Sequence, residues 1–172
     1  MGSRLPAGGR AMRRAVLMSI ALCAGGCTPH RTPPPNLTFD GLPVSGTLAF
    51  AKKNGFVNCF GDPISMRCRK PGIMFQGQGP YEAAVDLVGG DGNGGFDHLI
   101  LWKEDDQMAV QDVGDALERT GWKVCFTGHD NVGDQEIYTR PDRRLTVSID
   151  ISYWAMRRLR LFPQWQKPKP AC

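Results

Sequence analysis

Two nine-residue stretches, "AKKNGFVNC" (51–59) and "LERTGWKVC" (117–125), follow the same course 66 residues apart. Each runs from a helix-forming segment into Gly, then an aromatic residue, then a short strand-like run that closes on Cys. A glycine just past the last helical residue supplies the left-handed conformation that ends a helix, and the apolar residue behind it packs back onto the last turn. Further along, "RKP" (69–71) matches "TRP" (139–141), and "AAVDLV" (83–88) matches "VSIDIS" (147–152), with Asp86 opposite Asp150. "LILW" (99–102) likewise matches "LRLF" (159–162). The residues differ but the order is kept. The pattern predicts an α+β fold of two tandem helix-plus-four-strand antiparallel units, residues 44–103 and 104–163, with their sheets joined or packed and both helices on one sheet face.

The local signals agree with this plan. Helix one is expected from Ser45, as N-cap, to Asn54, stopped by Gly55 and Phe56. Helix two is expected from Asp106 to Thr120, capped by Asp105 or Asp106 and stopped by Gly121 and Trp122; Ala109, Val110, Val113, Ala116 and Leu117 make its apolar stripe. Its acids serve as a complement to the helix dipole and as a solvated face. "LTVSIDISYW" (145–154) alternates as a half-buried strand, with Leu145, Val147, Ile149, Ile151 and Tyr153 on one face. Keeping Leu159 and Leu161 inward in the next strand calls for a three-residue turn, Ala155-Met156-Arg157. That register sets Trp154 opposite Arg158 as a cation–π pair, and Ser152 opposite Arg160, with Asp150 diagonal to Arg160. The matching outward positions in the first unit are Asp86, His98, Ile100 and Trp102. Trp102, Trp154, Arg158, Arg160, Asp150 and His98 are thus the candidate binding surface, because aromatic residues and arginine are enriched at interfaces. The same residues also suit an ordinary solvated sheet face with cross-strand pairs.

The N-terminal segment points to a location. Arg4, Arg10, Arg13 and Arg14 stand without an acid, "AVLMSIAL" (15–22) is apolar, and Ala24, Gly25 and Gly26 are small. A basic segment, a short apolar run and a small-residue cleavage site make a secretory signal peptide, residues 1–26. The apolar run falls short of the about 20 residues that cross a bilayer. Met12 is an alternative start. After Cys27, "TPHRTPPP" (28–35) suits an extended Pro-rich tether, and residues 27–43 are set apart from the folded units.

Losing the leader changes the charge. The formal charge of the whole chain is +4, but four of its 21 Lys+Arg go with the leader, leaving 17 against 17 Asp+Glu. A neutral domain lacks the basic footprint of a nucleic-acid binder, and no nucleic-acid partner is expected. Cys23 leaves with the leader, and Cys27 stands apart at the cleavage site. Cys59, Cys68, Cys125 and Cys172 form an even set that suggests two disulfides in an oxidising compartment. Cys59 and Cys68 bracket the turn sequence "FGDPISMR" (60–67), so a local bridge is the simplest pairing, with Cys125–Cys172 left by elimination. Such a closure stabilises by roughly 2.5 kcal/mol in the loop-entropy model.

No catalytic set stands out. Gly90, Gly92 and Gly95 satisfy a GxGxxG pattern, but the strand-like "FDHLILW" (96–102) follows where a phosphate-binding helix is required. Asp91, Asn93 and Asp97 begin like a calcium loop, yet Phe96 and Trp102 stand where glycine and glutamate are needed. A flexible hairpin explains these glycines. His30, His98 and His129 fall in tether, strand and loop, with no serine or cysteine in a triad-like arrangement. No cofactor and no metal is expected, and "PKPAC" ends a tail, residues 164–172, expected to be loose.

The small residues before Cys27 resemble the lipobox of bacterial lipoproteins. That resemblance covers about the first 27 residues, and Ala24 stands where leucine is commoner. It implies that Cys27 carries a diacylglyceryl group, that cleavage falls just before it, and that the new N-terminus is acylated, palmitate among the acyl groups. Thr28, not aspartate, follows the cysteine, which by the family's sorting habit implies the outer membrane facing the periplasm. Ordinary signal peptidase acting at the same bond would instead give a secreted, unlipidated protein. The tandem layout looks like that of the β-lactamase-inhibitory proteins, and more distantly resembles the small lipoprotein of the outer-membrane barrel-assembly machine. It implies a protein-binding role. The expected function is a non-enzymatic envelope lipoprotein, membrane-bound through its lipid, that binds a protein or cell-wall partner by its sheet face. The alternatives are a small periplasmic hydrolase and a purely structural envelope protein.

Overall fold

The structure, a computed structural model, describes residues 34–129, 131–152 and 156–164. Its first element is a hairpin of β1 (Leu37–Phe39) and β2 (Leu42–Ser45). Asp40 and Gly41 join them with φ of 48° and 74°, the left-handed pair that a two-residue hairpin turn requires. Leu42 and Val44 are buried in the core, so the end of the stretch expected to be tether, up to residue 43, belongs to the folded body. Helix α1 (Leu48–Lys53) and strands β3 (Asn58–Gly61), β4 (Ser65–Phe75), β5 (Gln78–Val88) and β6 (Phe96–Trp102) follow. Helix α2 (Asp112–Arg119) precedes β7 (Lys123–Phe126), β8 (Gln135–Thr139), β9 (Leu145–Asp150) and β10 (Leu159–Pro163).

The eight longer-range strands form one antiparallel sheet in the order β3-β4-β5-β6-β10-β9-β8-β7. This corrects the expected α+β fold of two helix-plus-four-strand units. The molecule is mostly β, about 47% strand and 11% helix among the described residues, and its sheet is continuous. β10 is the joint: Leu159 and Leu161 pair with Ile149 and Val147 on one side, and with Leu101 and Leu99 on the other. Separate units would leave β6 and β10 as bare edges with unpaired N–H and C=O groups, and pairing them removes both. The likeness to the β-lactamase-inhibitory proteins was drawn from the tandem helix-plus-sheet layout that this fold corrects.

The helices are shorter than expected. Ser45 lies in β2, and Thr47 is the cap of α1: its hydroxyl accepts from the Phe50 N–H at 3.3 Å. Asp106 does accept two backbone N–H groups, from Met108 and Ala109, but these close a turn, and α2 begins only at Asp112. Both helix ends agree with the sequence. Gly55 and Gly121 each have φ of 88°. Phe56 N–H donates to Ala51 O and Trp122 N–H to Leu117 O, each at 3.1 Å. A basic side chain completes each end: Lys70 Nζ donates to Asn54 O and Arg140 Nη1 to Thr120 O, both at 2.9 Å. These cations meet the negative end of each helix.

One core lies between the sheet and the layer of α1, β2 and α2. Ala51, Val113 and Leu117 from the helices meet Val85, Leu99, Leu101, Val147, Ile149, Leu159 and Leu161 from the sheet, all fully buried. Phe39 stands edge-on to both Phe75 and Trp122, with ring centroids 5.8 and 5.5 Å away. Tyr81 donates its hydroxyl to Ala109 O at 2.7 Å, and burial pushes its pKa up to about 12. Burial, with Glu136 beside it, also holds the Tyr138 hydroxyl above its ordinary range.

Cys59 and Cys68 form a disulfide directly across the β3–β4 ladder, with their Cα atoms 4.0 Å apart. Cys125 is disulfide-bonded, and Cys172, its expected partner, lies outside the described residues, as do residues 165–171 of the expected tail. The apparent match of Cys59 with Cys125 is off by one residue in the fold. Cys59 shares a face with core residue Cys68, whereas Cys125 pairs with Ile137 on the other face. A slip of one position turns a strand residue over.

Gly114 marks a close approach of α2 to Tyr138 of β8: a Cβ there would collide with Tyr138 Oη and come within 3.2 Å of its Cζ. Gly→Ala in a helix interior ordinarily stabilises by about 1 kcal/mol. Here the collision dominates, and Gly114→Ala is expected to destabilise the fold by about 1–3 kcal/mol, read as a lower urea midpoint. Adding Tyr138→Phe, which removes the oxygen in the way, should recover part of that loss.

Candidate binding face of the sheet

The face away from the helices is ordered by the strand registers. One row runs Phe60–Arg67–Asp86–His98, and continuing the β6–β10 register places Phe162 beside His98. The next row runs Asn58–Arg69–Ala84–Ile100–Arg160–Ser148–Ile137–Cys125. A third pairs Glu82 with Trp102, and by continuation sets Trp102 beside Arg158 and Arg158 beside Asp150. Period-two alternation makes these rows: the same strands send Cys68, Val85, Leu99 and Leu161 into the core.

Of the candidate surface residues, Trp102, Arg158, Arg160, Asp150 and His98 come together on this face. Trp154 lies outside the described residues, and so does its expected stacking on Arg158. The expected β9–β10 register is corrected by four positions. Arg160 lies opposite Ser148, not Ser152, and Asp150 N–H donates to Arg158 O at 3.0 Å. The connection is therefore longer than the three-residue turn at 155–157. Arg157, expected in that turn, is only 2% exposed. Its guanidinium donates to Ile151 O and Ser152 O, while its backbone N–H donates to the Gln107 side chain at 2.6 Å. Asp150 remains diagonal to Arg160, because that diagonal sits midway between the two registers. Ile100, expected to face outward, is only 4% exposed among its long neighbours.

Two bidentate ion pairs frame the face. Arg67 Nε and Nη2 donate to Asp86 Oδ1 and Oδ2 at 2.6 and 2.7 Å. Hydrogen bonding to Asp86 raises the Arg67 pKa. Arg160 Nη1 and Nη2 donate to Asp150 Oδ1 and Oδ2 at 2.6 and 3.0 Å. Each fork uses both carboxylate oxygens, the strongest geometry open to such a pair. His98 stacks on Phe162, with centroids 5.0 Å apart. Its Nδ1 lies 2.8 Å from Asp97 Oδ2 and its Nε2 3.5 Å from Asp86 Oδ2.

Between the two ion pairs lies a shallow concavity of about 160 Å³ lined by Arg69, Trp102, Arg158, Glu104 and Met156. The Arg69 guanidinium is held by aromatic rings, 5.2 Å from the Phe60 centroid and 5.8 Å from that of Trp102. Neither Arg69 nor Arg158 has a carboxylate within ion-pair distance among the described residues. Sequence reasoning missed Phe60, Arg67 and Arg69. The signal was present in "MRCRK" (66–70): two arginines flanking a strand cysteine share the face opposite to it, and a buried Cys68 sends both outward. Such a surface can bind by charge-assisted hydrogen bonds and by stacking. No group of three His, Cys, Asp or Glu placed to hold a metal ion occurs among the described residues.

Comparison with protein-family models, with curated proteins and with solved structures returned no match.

The Asp150–Arg160 pair is largely buried, each side chain 19% exposed. Removing one partner strands the other charge, so Asp150→Ala is expected to destabilise the protein by about 1–3 kcal/mol. A double-mutant cycle with Arg160→Ala, read by urea unfolding, should show the two losses to be less than additive.

Proposed function

We propose that the protein is a non-enzymatic lipoprotein of the bacterial cell envelope that binds a partner through the helix-free face of its sheet. The carrying observation is the convergence of Arg69, Trp102 and Arg158 on one concavity, with the neighbouring arginines already neutralised by Asp86 and Asp150. A face built for solubility alone would pair or disperse these cations. An aromatic platform between arginines instead has the composition of an interface centre.

The tether and leader supply the setting. The basic and apolar segments, the small residues and Cys27 support cleavage before Cys27 and acylation of its thiol. More than one acyl chain, at about 0.8 kcal/mol per buried methylene, gives stable anchoring. The Cys59–Cys68 disulfide supports an oxidising compartment. With Thr28 after the anchor, the location proposed is the outer membrane, facing the periplasm. The partner is an envelope protein or cell-wall material that reaches the sheet from the periplasmic side.

Intact mass of the protein purified from membranes should match residues 27–172 plus acyl chains, and Cys27→Ala should move it out of the detergent phase; an unacylated full-length chain would refute the anchor. A photocrosslinking residue at position 102 should capture one defined partner in cells, whereas the same probe at exposed Lys52 on the helix side should not. Absence of any product specific to position 102 would refute the binding face.

A further inference from the structure

We infer that the concavity of Arg69, Trp102 and Arg158 recognises carboxylate side chains, and that its occupant is an extended acidic segment of a partner protein. The inference rests on the binding role proposed for this face. Three N–H-bearing side chains converge there without a protein acceptor: among the described residues no hydrogen bond or ion pair engages the Arg69 guanidinium, the Arg158 guanidinium or the Trp102 indole N–H. Arg158 uses only its backbone N–H, which donates to Asp150 Oδ2. Phe60 and Trp102 flank the Arg69 guanidinium, 5.2 and 5.8 Å from their centroids, and leave its N–H groups unused. The planar fork of a guanidinium is matched by a carboxylate, which accepts two parallel hydrogen bonds.

The surroundings select the charge of the occupant. Arg67 and Arg160, on either side, are satisfied by Asp86 and Asp150, so the unmet positive charge is confined to the middle of the face. Glu104 is the acid lining the concavity, and it balances one of the two open cations. At about 160 Å³ the space is below the about 300 Å³ at which small-molecule pockets begin. It suits one side chain of a longer ligand. Phe60 is 54% exposed beside Arg69, and Met156 is among the lining residues. These give apolar ground for the backbone on either side of an acidic residue. A segment alternating acidic and small residues would lay its carboxylates between the arginines and cross the strands over Ile100, which lines the concavity beneath them.

The test uses the full chain and fluorescence anisotropy of a labelled hexapeptide of alternating glutamate and serine, with its glutamine counterpart as comparison. The glutamate peptide should bind at least about tenfold more tightly, as expected for one charge-assisted contact, and its affinity should fall with added salt. Arg69→Gln and Arg158→Gln should each weaken it about fivefold or more, with unchanged thermal midpoints, and Arg69→Lys should recover part of the loss. Lys52→Gln with Lys53→Gln, on the helix side, should change nothing. Equal binding of the two peptides overturns the carboxylate assignment, and an equal loss in the lysine variant overturns its location. Binding of neither peptide, with a partner still captured from position 102 in cells, overturns the acidic occupant and leaves the binding face standing. Failure of both overturns the two together.

Discussion

The pairing of β6 with β10 is the constraint on which the rest of the molecule depends. Leu99 and Leu101 meet Leu161 and Leu159 across a ladder between segments about 60 residues apart in the chain. These four side chains are fully buried on the core side. On the other side the same ladder sets Ile100 beside Arg160 and brings Trp102 to Arg158. One register therefore fixes both the centre of the core and the centre of the candidate binding face. Contacts at such separation carry a loop-closure cost before they contribute anything. The short local elements, with their glycine-stopped helices and tight turns, are what make the two runs of strands regular enough to meet.

Local chemistry was legible in the sequence, and partnership was not. The helix stops at Gly55-Phe56 and Gly121-Trp122 could be read because a left-handed glycine and a following aromatic leave a contiguous mark. The inward set Leu145, Val147, Ile149 and Ile151 was equally clear, since alternation is a property of one strand. The Cys59–Cys68 bridge followed from a turn between two nearby thiols. Continuity of the sheet left no such mark. Alternation says which face a residue takes, but it is silent on which strand lies beside it and in which register. The four-position error between β9 and β10 has that origin, and so does the match of Cys59 with Cys125, which lie on opposite faces. Ser45 lost the cap of α1 to Thr47 because hairpin pairing to β1 claims its backbone. Half of the candidate binding face was likewise invisible: Arg67 and Arg69 gain their meaning only once β4 stands next to β5 and the aromatic ring of Phe60 is carried over from β3.

Charge on the helix-free face is arranged by contrast. Arg67 and Arg160 are held in forks by carboxylates on neighbouring strands, and their positive charge is largely cancelled where it stands. Arg69 is instead held by flat aromatic surfaces, which orient a guanidinium without consuming its hydrogen-bonding edge. The same side chain type thus serves as structure at the flanks and as an open donor in the middle. At the back of the molecule, Lys70 and Arg140 spend their charge on helix carbonyls, a third use that also removes them from any ligand.

The disulfide has a consequence beyond holding a loop. β3 is one of the two edge strands of the large sheet and only four residues long, and a strand with so few backbone bonds frays readily when nothing covalent secures it. Cys59 ties it to β4 one position before Phe60, the ring on which Arg69 rests. Oxidation state is thereby written into the surface as well as the interior. A chain folded with its thiols reduced would keep the same buried leucines while holding Phe60, the aromatic backing of Arg69, only by the short β3 ladder.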